Sequence, residues 1–257
     1  MTGLLRTREK RVLRLTLDRG EQRNRLDGAL CRSLAEALIE AEGDGSVGAV
    51  LLEAAGPVFS EGFASGEEGG EDTEAQTLLF GRTRPWLKPV VAAVQGPCLG
   101  AGLGLLAQAH IVIAAQGTQF GLTEIRLGGF PFITFPALVD VMGRRRALEL
   151  ALTGRLFSVS EAREFGLVHE ICPAFELEDR AAHTVHHLAS LSPAAVGSGL
   201  EFAAQMGGLG AARAQELAVR MAQQACSSAD YAEGTAARRE NRAPRWPSLT
   251  LRTPEEP

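Results

Sequence analysis

The chain has 257 residues, 45% of them hydrophobic and 22% charged, with 26 basic against 31 acidic residues for a formal charge of −5. At about 150 residues per domain that length gives one to two domains and a sizeable core without disulfides or a structural metal, and the composition excludes disorder and fibrous repeats. An acidic balance with only 5% aromatic residues offers nucleic acid neither electrostatic attraction nor a stacking surface, so no nucleic-acid partner is expected.

The basic start, Met1 to Arg11, lacks an apolar stretch of signal-peptide length and leads into an alternating strand over Arg11 to Leu17. Asp18-Arg19-Gly20 turns the chain. Asp27 is placed to cap a helix reaching Glu42, with Leu30, Leu34, Ala37, Leu38 and Ala41 on one stripe and Glu36 and Glu40 outside. Gly43-Asp44-Gly45 ends it, and Val47 to Glu53 reads as the next strand. Gly56-Pro57 punctuates the chain before Val58 to Gly62. Ser65 to Thr73, rich in Gly and Glu, reads as a surface loop, and Glu74 to Trp86 as a helix. Pro89 to Thr123 carries no Asp, Glu, Lys or Arg. Its glycines, glutamines and proline break it into a buried strand (Pro89 to Val94), a helix (Ala101 to Ala107) and a second strand (Ile111 to Ala115), so no membrane span is expected. From Phe132 the pattern turns mainly helical: Ala137 to Met142, Arg145 to Leu152, Ser160 to Phe165, Glu176 to Leu191, Pro193 to Met206, Ala211 to Ala225 and Ala229 to Arg239. The class is α/β with a helical C-terminal third.

Cys31, Cys98, Cys172 and Cys226 are far apart, with no CxxC pair and no histidine at metal spacing. They read as reduced core thiols of a cytoplasmic protein, with no metal site. His110 reads as a satisfied core histidine, and His183, His186 and His187 lack a carboxylate at zinc spacing.

Three places point to chemistry. Gly100-Ala101-Gly102-Leu103-Gly104 follows a strand and opens a helix, whose free N–H groups favour an anion or oxyanion. A dinucleotide fingerprint competes for the same glycines, but it would need glycine or alanine where Leu105 stands. Phe59-Ser60-Glu61-Gly62-Phe63-Ala64 ends a strand in a tight turn that can present the Phe63 N–H. Glu124 is the first charged residue after the uncharged stretch. A carboxylate against apolar walls is a general acid/base, because desolvation raises its pKa.

In this order and spacing the pieces resemble the crotonase superfamily, the enoyl-CoA hydratase/isomerase family, over almost the whole chain. Leu17 to Leu26 resembles its N-terminal coenzyme A motif, with Arg23, Arg25 and Leu26 as substrate contacts. Val50-Leu51-Leu52 through Phe59 to Phe63 resembles the first oxyanion segment, and Pro89 to Gly96 leading into Gly100-Ala101-Gly102 the second. Phe120 to Glu124, Leu150 to Gly154, Ala162 to Val168 with Pro173, and Asp230 to Gly234 complete the pattern. The resemblance implies a spiral of ββα units over residues 1–192 and a helical region over 193–257 that forms trimers, or dimers of trimers. It further implies an acyl-CoA thioester as substrate, with no separate cofactor. The Phe63 and Ala101 N–H groups would hold the thioester oxygen, lined by Gly62, Ala64, Gly100 and Gly102, and Glu124 would move the proton.

The departures from the family pattern choose among reactions. Hydratases of the family use two glutamates, and the first would fall at Gly104, which has no side chain; the second matches Glu124. Water addition needs two acid/base groups, whereas moving a double bond from the 3 to the 2 position needs one, so isomerisation leads over hydration, decarboxylation or a non-catalytic CoA-ester-binding role. Ala64 stands where the family has aspartate, and Phe63 where it has a small residue. Phe130, Phe132 and Phe135 are placed to wall an acyl chain. Arg144-Arg145-Arg146 and Arg238, Arg239, Arg242 and Arg245 are further candidates for the coenzyme A phosphates, and Asp140 for a second acid.

Overall fold

Three largely apolar runs form the middle of the principal sheet: β3 (Ala49–Ala54), whose one charged residue is Glu53, β4 (Val90–Val94) and β6 (Ile111–Ala115). Near-continuous apolar strands suit a parallel sheet covered on both faces. Alternation assigns each face: Val50, Leu52, Val90, Ala92, Val94, Val112 and Ala114 join the larger core, whereas Ala49, Leu51, Val91, Ala93, Ile113 and Ala115 meet helix α7 (Leu177–Ser190) through Leu177, Ala181, Val185 and Ala189. The computed structural model describes residues 3–64, 72–81 and 86–249.

The principal sheet has six strands in the order β1-β2-β3-β4-β6-β9, where β1 is Leu4–Glu9, β2 is Val12–Leu17 and β9 is Glu170–Cys172. All pairs are parallel except the β1-β2 hairpin. A smaller sheet, β5 (Cys98–Leu99), β7 (Gln119–Gly121) and β8 (Leu156–Ser158), stands beside it. Strands β4 and β6 are each followed by a short strand and then by a helix or helical turn: β4, β5 and α3 (Ala101–Gln108) make one turn of the spiral, and β6 and β7 begin the next. This is the ββα spiral that the resemblance implies.

Helix α1 (Gly28–Gly43) begins where the sequence places it, with the Asp27 carboxylate accepting from the Leu30 N–H, and its apolar stripe is buried. Helix α2 (Thr73–Phe80) stops at Gly81, short of the Trp86 end predicted for it, and most of the Ser65 to Thr73 loop lies outside the described residues. The helices α4 (Phe135–Met142), α5 (Arg144–Thr153), α6 (Val159–Glu164), α8 (Pro193–Met206), α9 (Ala211–Cys226) and α10 (Ala229–Arg239) follow. The mainly helical reading beyond Phe132 misses β8 and β9, and β9 completes the principal sheet. Cys31, Cys98 and Cys172 are buried free thiols, and burial pushes Cys31 up to about 12. Cys226 is exposed at the end of α9 and is no core thiol, a correction to the sequence reading. Among the described residues no helix is long and apolar enough to cross a membrane.

Two histidines perform one task at successive strand starts. The His110 N–H donates to the Val90 carbonyl at 2.8 Å while its Nδ1 accepts from the Val90 N–H at 3.0 Å. His169 repeats the pattern one strand further on, bonded to Val112 at 2.9 and 3.1 Å. Both Nδ1 atoms act as acceptors, so each ring carries its proton on Nε2 and is neutral. Burial lowers both pKa values. A depressed histidine pKa contributes stability that is full above the unfolded value of about 6.5 and is lost as pH falls through the folded value. Tm should therefore drop from pH 7 to pH 5, and that drop should shrink in a His110→Gln, His169→Gln double variant followed by thermal unfolding.

Candidate active site

Three backbone segments are laced side by side. Ser60 bridges Cys98, the Leu99 N–H donates to the Ser60 carbonyl at 2.8 Å, and the Gly100 N–H donates to the Gly121 carbonyl at 2.8 Å. The lacing brings the turn at Gly62-Phe63, the start of α3 at Ala101 and Glu124 next to one another.

The close approach depends on glycine at two positions. Gly62 has φ +91°, and a Cβ there would stand 3.0 Å from the Ala101 nitrogen and 3.2 Å from Gly100 Cα. Gly100 has φ +52°, and a Cβ there would stand 3.0 Å from Glu124 Oε1 and 3.4 Å from Gly62 Cα. Both conformations are ones that only glycine adopts readily, and both sites lack room for a side chain. Gly102 also permits contact, since a Cβ would meet Cys98 Sγ at 2.9 Å and Ser60 Cβ at 3.0 Å.

The N–H groups around this point divide cleanly. Leu26 takes the Gly62 carbonyl at 2.8 Å, and its own carbonyl accepts from the Ala64 N–H at 3.0 Å. Phe63 and Ala101 make no such bond through their N–H groups among the described residues. Ala101 is the first residue of α3, whose N-cap, Gly100, has no side chain to satisfy the helix start. Both donors lie beside the Gly62-Gly100 contact in the chain, Phe63 following Gly62 and Ala101 following Gly100, and Ala101 stands at the positive end of α3.

Glu124 opens a short 3-10 turn, Glu124–Leu127, and its carbonyl is held by the Gly128 and Gly129 N–H groups. Its Oε1 packs against Gly100, while Oε2 is buried without a hydrogen-bond partner. Burial pushes the carboxyl above its ordinary range, outweighing the opposite pull of its own backbone N–H. An unpartnered buried carboxylate oxygen is costly, and it belongs to the carboxylate whose other oxygen lies against Gly100, the residue before Ala101.

The predicted second carboxylate position is closed. A Cβ at Gly104 would stand 2.4 Å from Thr134 Cγ2 and 3.1 Å from Phe80 Cε1, so the Thr134 methyl fills the space a side chain would need. The Phe80 ring meets Phe63 edge to face, with centroids 5.8 Å apart. Phe130 touches Phe132 and Phe135, with centroids 5.0 Å apart in both pairs. Phe132 is 76% exposed and belongs to the surface rather than to the core. Asp140 is exposed.

Several of the arginines expected near coenzyme A have partners within the chain. Arg23 and Arg25 both pair with Glu61, Arg25 Nη2 at 3.1 Å, so their charges brace the turn before Gly62. Arg242 is bound by Glu233 and Glu240, and the Arg146 guanidinium lies 3.9 Å from the centre of the Phe165 ring.

Sequence reasoning missed two positioning residues. Asn24 is fully buried and donates to the Ala55 and Val58 carbonyls at 2.9 and 2.8 Å while accepting from the Arg19 N–H. Ser60, also fully buried, donates to the Asn24 carbonyl at 2.9 Å and accepts from the Gly62 N–H at 3.1 Å. Together they set the turn that presents Phe63. Their signal in the sequence is faint, because a polar residue in a loop reads as solvated.

No cluster of metal-ligating residues is found among the described residues. The enoyl-CoA hydratase/isomerase family profile matches residues 7–249. The 2,3-dehydroadipyl-CoA hydratase of Escherichia coli is 31% identical over 202 residues, covering 76% of this chain and 79% of that protein. The 1,2-epoxyphenylacetyl-CoA isomerase of the same organism is 34% identical over 194 residues, covering 71% and 74%. The crystal structure of enoyl-CoA hydratase from Mycobacterium smegmatis superposes with a TM-score of 0.88 at 28% identity, covering 95% of this chain and 98% of that one. With the spiral fold and the close approach of Gly62, Gly100 and Glu124 on one side and these likenesses on the other, the chain belongs to the enoyl-CoA hydratase/isomerase family of acyl-CoA enzymes.

Proposed function

We propose that the protein isomerises a 3-enoyl-CoA thioester to the 2-enoyl form, with Glu124 as the single proton carrier. The supporting observation is the buried Glu124 oxygen that has no partner among the described residues, together with Phe63 and Ala101 N–H groups that lack a backbone partner there and a Gly104 position that Thr134 has closed. The thioester oxygen accepts from the Phe63 and Ala101 N–H groups. Glu124 removes a proton from C2, negative charge moves onto that oxygen as the enolate forms, and the two fixed donors stabilise it without reorganising. The same carboxyl then returns the proton at C4, which leaves the double bond between C2 and C3. Coenzyme A enters as part of the substrate, and proton transfer of this kind uses no redox group.

The hydratase reading draws on the names of the Escherichia coli and Mycobacterium smegmatis relatives. Hydration asks one group to activate water and another to protonate the α-carbon, and Gly104 supplies neither. One assay separates the two. A 3-enoyl-CoA should gain the absorbance of a conjugated thioester, and a 2-enoyl-CoA should keep it. Loss of that absorbance from the 2-enoyl substrate would establish the hydratase, and CoA-ester binding with both substrates unchanged would establish a non-catalytic member. The homotrimer or dimer of trimers implied by the family resemblance is carried into this proposal, with mass in solution as its readout.

A further inference from the structure

Phe80, the last residue of α2, is buried and packs against both segments of the proposed thioester site. Its ring meets the Phe63 ring edge to face, with centroids 5.8 Å apart at 83°, and Phe63 carries the first N–H donor. Its Cε1 also lies 3.1 Å from where a Cβ at Gly104 would stand. Gly104 sits one turn along α3 from Ala101, the second donor, and on the same face. Since Cα–Cβ bonds in a helix tilt toward its N-terminus, the space beside Gly104 that the Phe80 ring and the Thr134 methyl fill leans toward Ala101.

Backbone hydrogen bonds hold each donor segment to its own neighbour. The Leu26 N–H donates to the Gly62 carbonyl at 2.8 Å and the Ala64 N–H to the Leu26 carbonyl at 3.0 Å, so Phe63 is held along Leu26, while the Gly100 N–H holds the start of α3 to the Gly121 carbonyl. The two segments meet each other at the Leu99–Ser60 bond and where Gly62 approaches Gly100. Neither glycine has a side chain to set the spacing, whereas the Phe80 ring is a rigid body in contact with both segments. Helix α2 is itself anchored, since the Asp72 carboxylate accepts from the Ala75 N–H and from Arg32 Nη2 of α1, both at 2.9 Å, and Ala75 and Leu79 are buried. We infer that Phe80 is a positioning residue, which acts through the Phe63 ring and the first turn of α3 to set the separation at which the Phe63 and Ala101 N–H groups share one oxygen. This rests on the thioester reading of the site. Fixed donors stabilise an enolate only while they stay aimed at it, which gives a side chain behind them leverage on the rate.

Isotope-edited infrared spectroscopy of a saturating, non-reactive CoA thioester reads the donors directly, because hydrogen bonds to the carbonyl lower its stretching frequency. In the unaltered protein the bound carbonyl should absorb below its frequency in water, and Phe80→Ala should return most of that shift. Phe80→Leu, which keeps apolar bulk but loses the ring edge, should return part of it. With a 3-enoyl-CoA, kcat should fall about 10–100-fold in Phe80→Ala while KM changes less than about threefold, the pattern of a lost transition-state interaction rather than of lost binding. All measurements are made well below the Tm of every variant. A folded Phe80 variant with the carbonyl shift intact overturns the proposal, as does a loss confined to KM; if Phe80→Ala does not fold, Phe80→Leu decides. Absence of the shift in the unaltered protein overturns the thioester reading itself, before any variant is made. A shift that depends on Phe80 without turnover of a 3-enoyl-CoA supports the positioning role and removes only isomerisation.

Discussion

Replacing Glu124 by Gln should abolish turnover, with kcat falling at least about 10²–10⁴-fold, the usual contribution of a positioned acid/base, while a CoA ester still binds. Binding survives because the Phe63 and Ala101 donors are backbone and the substitution is close to isosteric. Steady-state kinetics with a 3-enoyl-CoA and calorimetric titration with a non-reactive CoA thioester separate the two effects. In the unaltered enzyme kcat/KM should rise with pH as Glu124 ionises, with a midpoint above the usual 4.3 or so of a glutamate. The same shift bears on stability. A carboxyl whose folded pKa is raised by burial favours the fold while protonated, and this advantage is lost as pH rises through the folded value. The Gln variant should therefore unfold at a higher Tm than the unaltered protein at pH 8, and the gap should close near pH 4.

Restoring a glutamate at position 104 should cost the fold heavily and yield no hydratase. A Cβ there meets Thr134 Cγ2 at 2.4 Å and Thr134 Cβ at 2.9 Å. Thr134 is buried, and a β-branched side chain has little freedom to swing aside. Gly104→Ala isolates the steric part. Overpacking typically costs about 1–3 kcal/mol, so Tm should fall by roughly 3–10 °C at the few degrees per kcal/mol usual for this length. Gly104→Glu adds a buried carboxylate and should fall further. Thr134→Gly in the same chain should recover part of the loss. Calorimetric unfolding measures all three, and a Gly104→Glu protein as stable as the original would contradict the steric account.

Helix ends were the most legible features of the sequence. The helices Pro193–Met206 and Ala229–Arg239 stand where their residues place them, because Ser192 and Ser228 cap them through side-chain oxygens. Short strands were hidden, since β5, β7, β8 and β9 have two or three residues each, too few for an alternating pattern to register. Edge strand β1 escaped for another reason: five of its six residues are exposed, so its inward face carries almost no apolar signal. Glycines made the cleft readable, because Gly62 and Gly100 mark the places where backbone must meet backbone. The pairing of Arg23 and Arg25 with Glu61 was not legible, since a basic residue in a motif does not disclose the carboxylate it meets. Asn24 and Ser60 went unnoticed because burial is a tertiary property.

The most direct measurement is a crystal structure with a non-reactive acyl-CoA thioester in the cleft. The thioester oxygen should accept from both the Phe63 and Ala101 N–H groups, with Glu124 Oε2 facing C2 and C4 and no other carboxylate near the acyl group. A thioester oxygen bound elsewhere, or a second carboxylate turned toward C3, would contradict single-acid isomerisation.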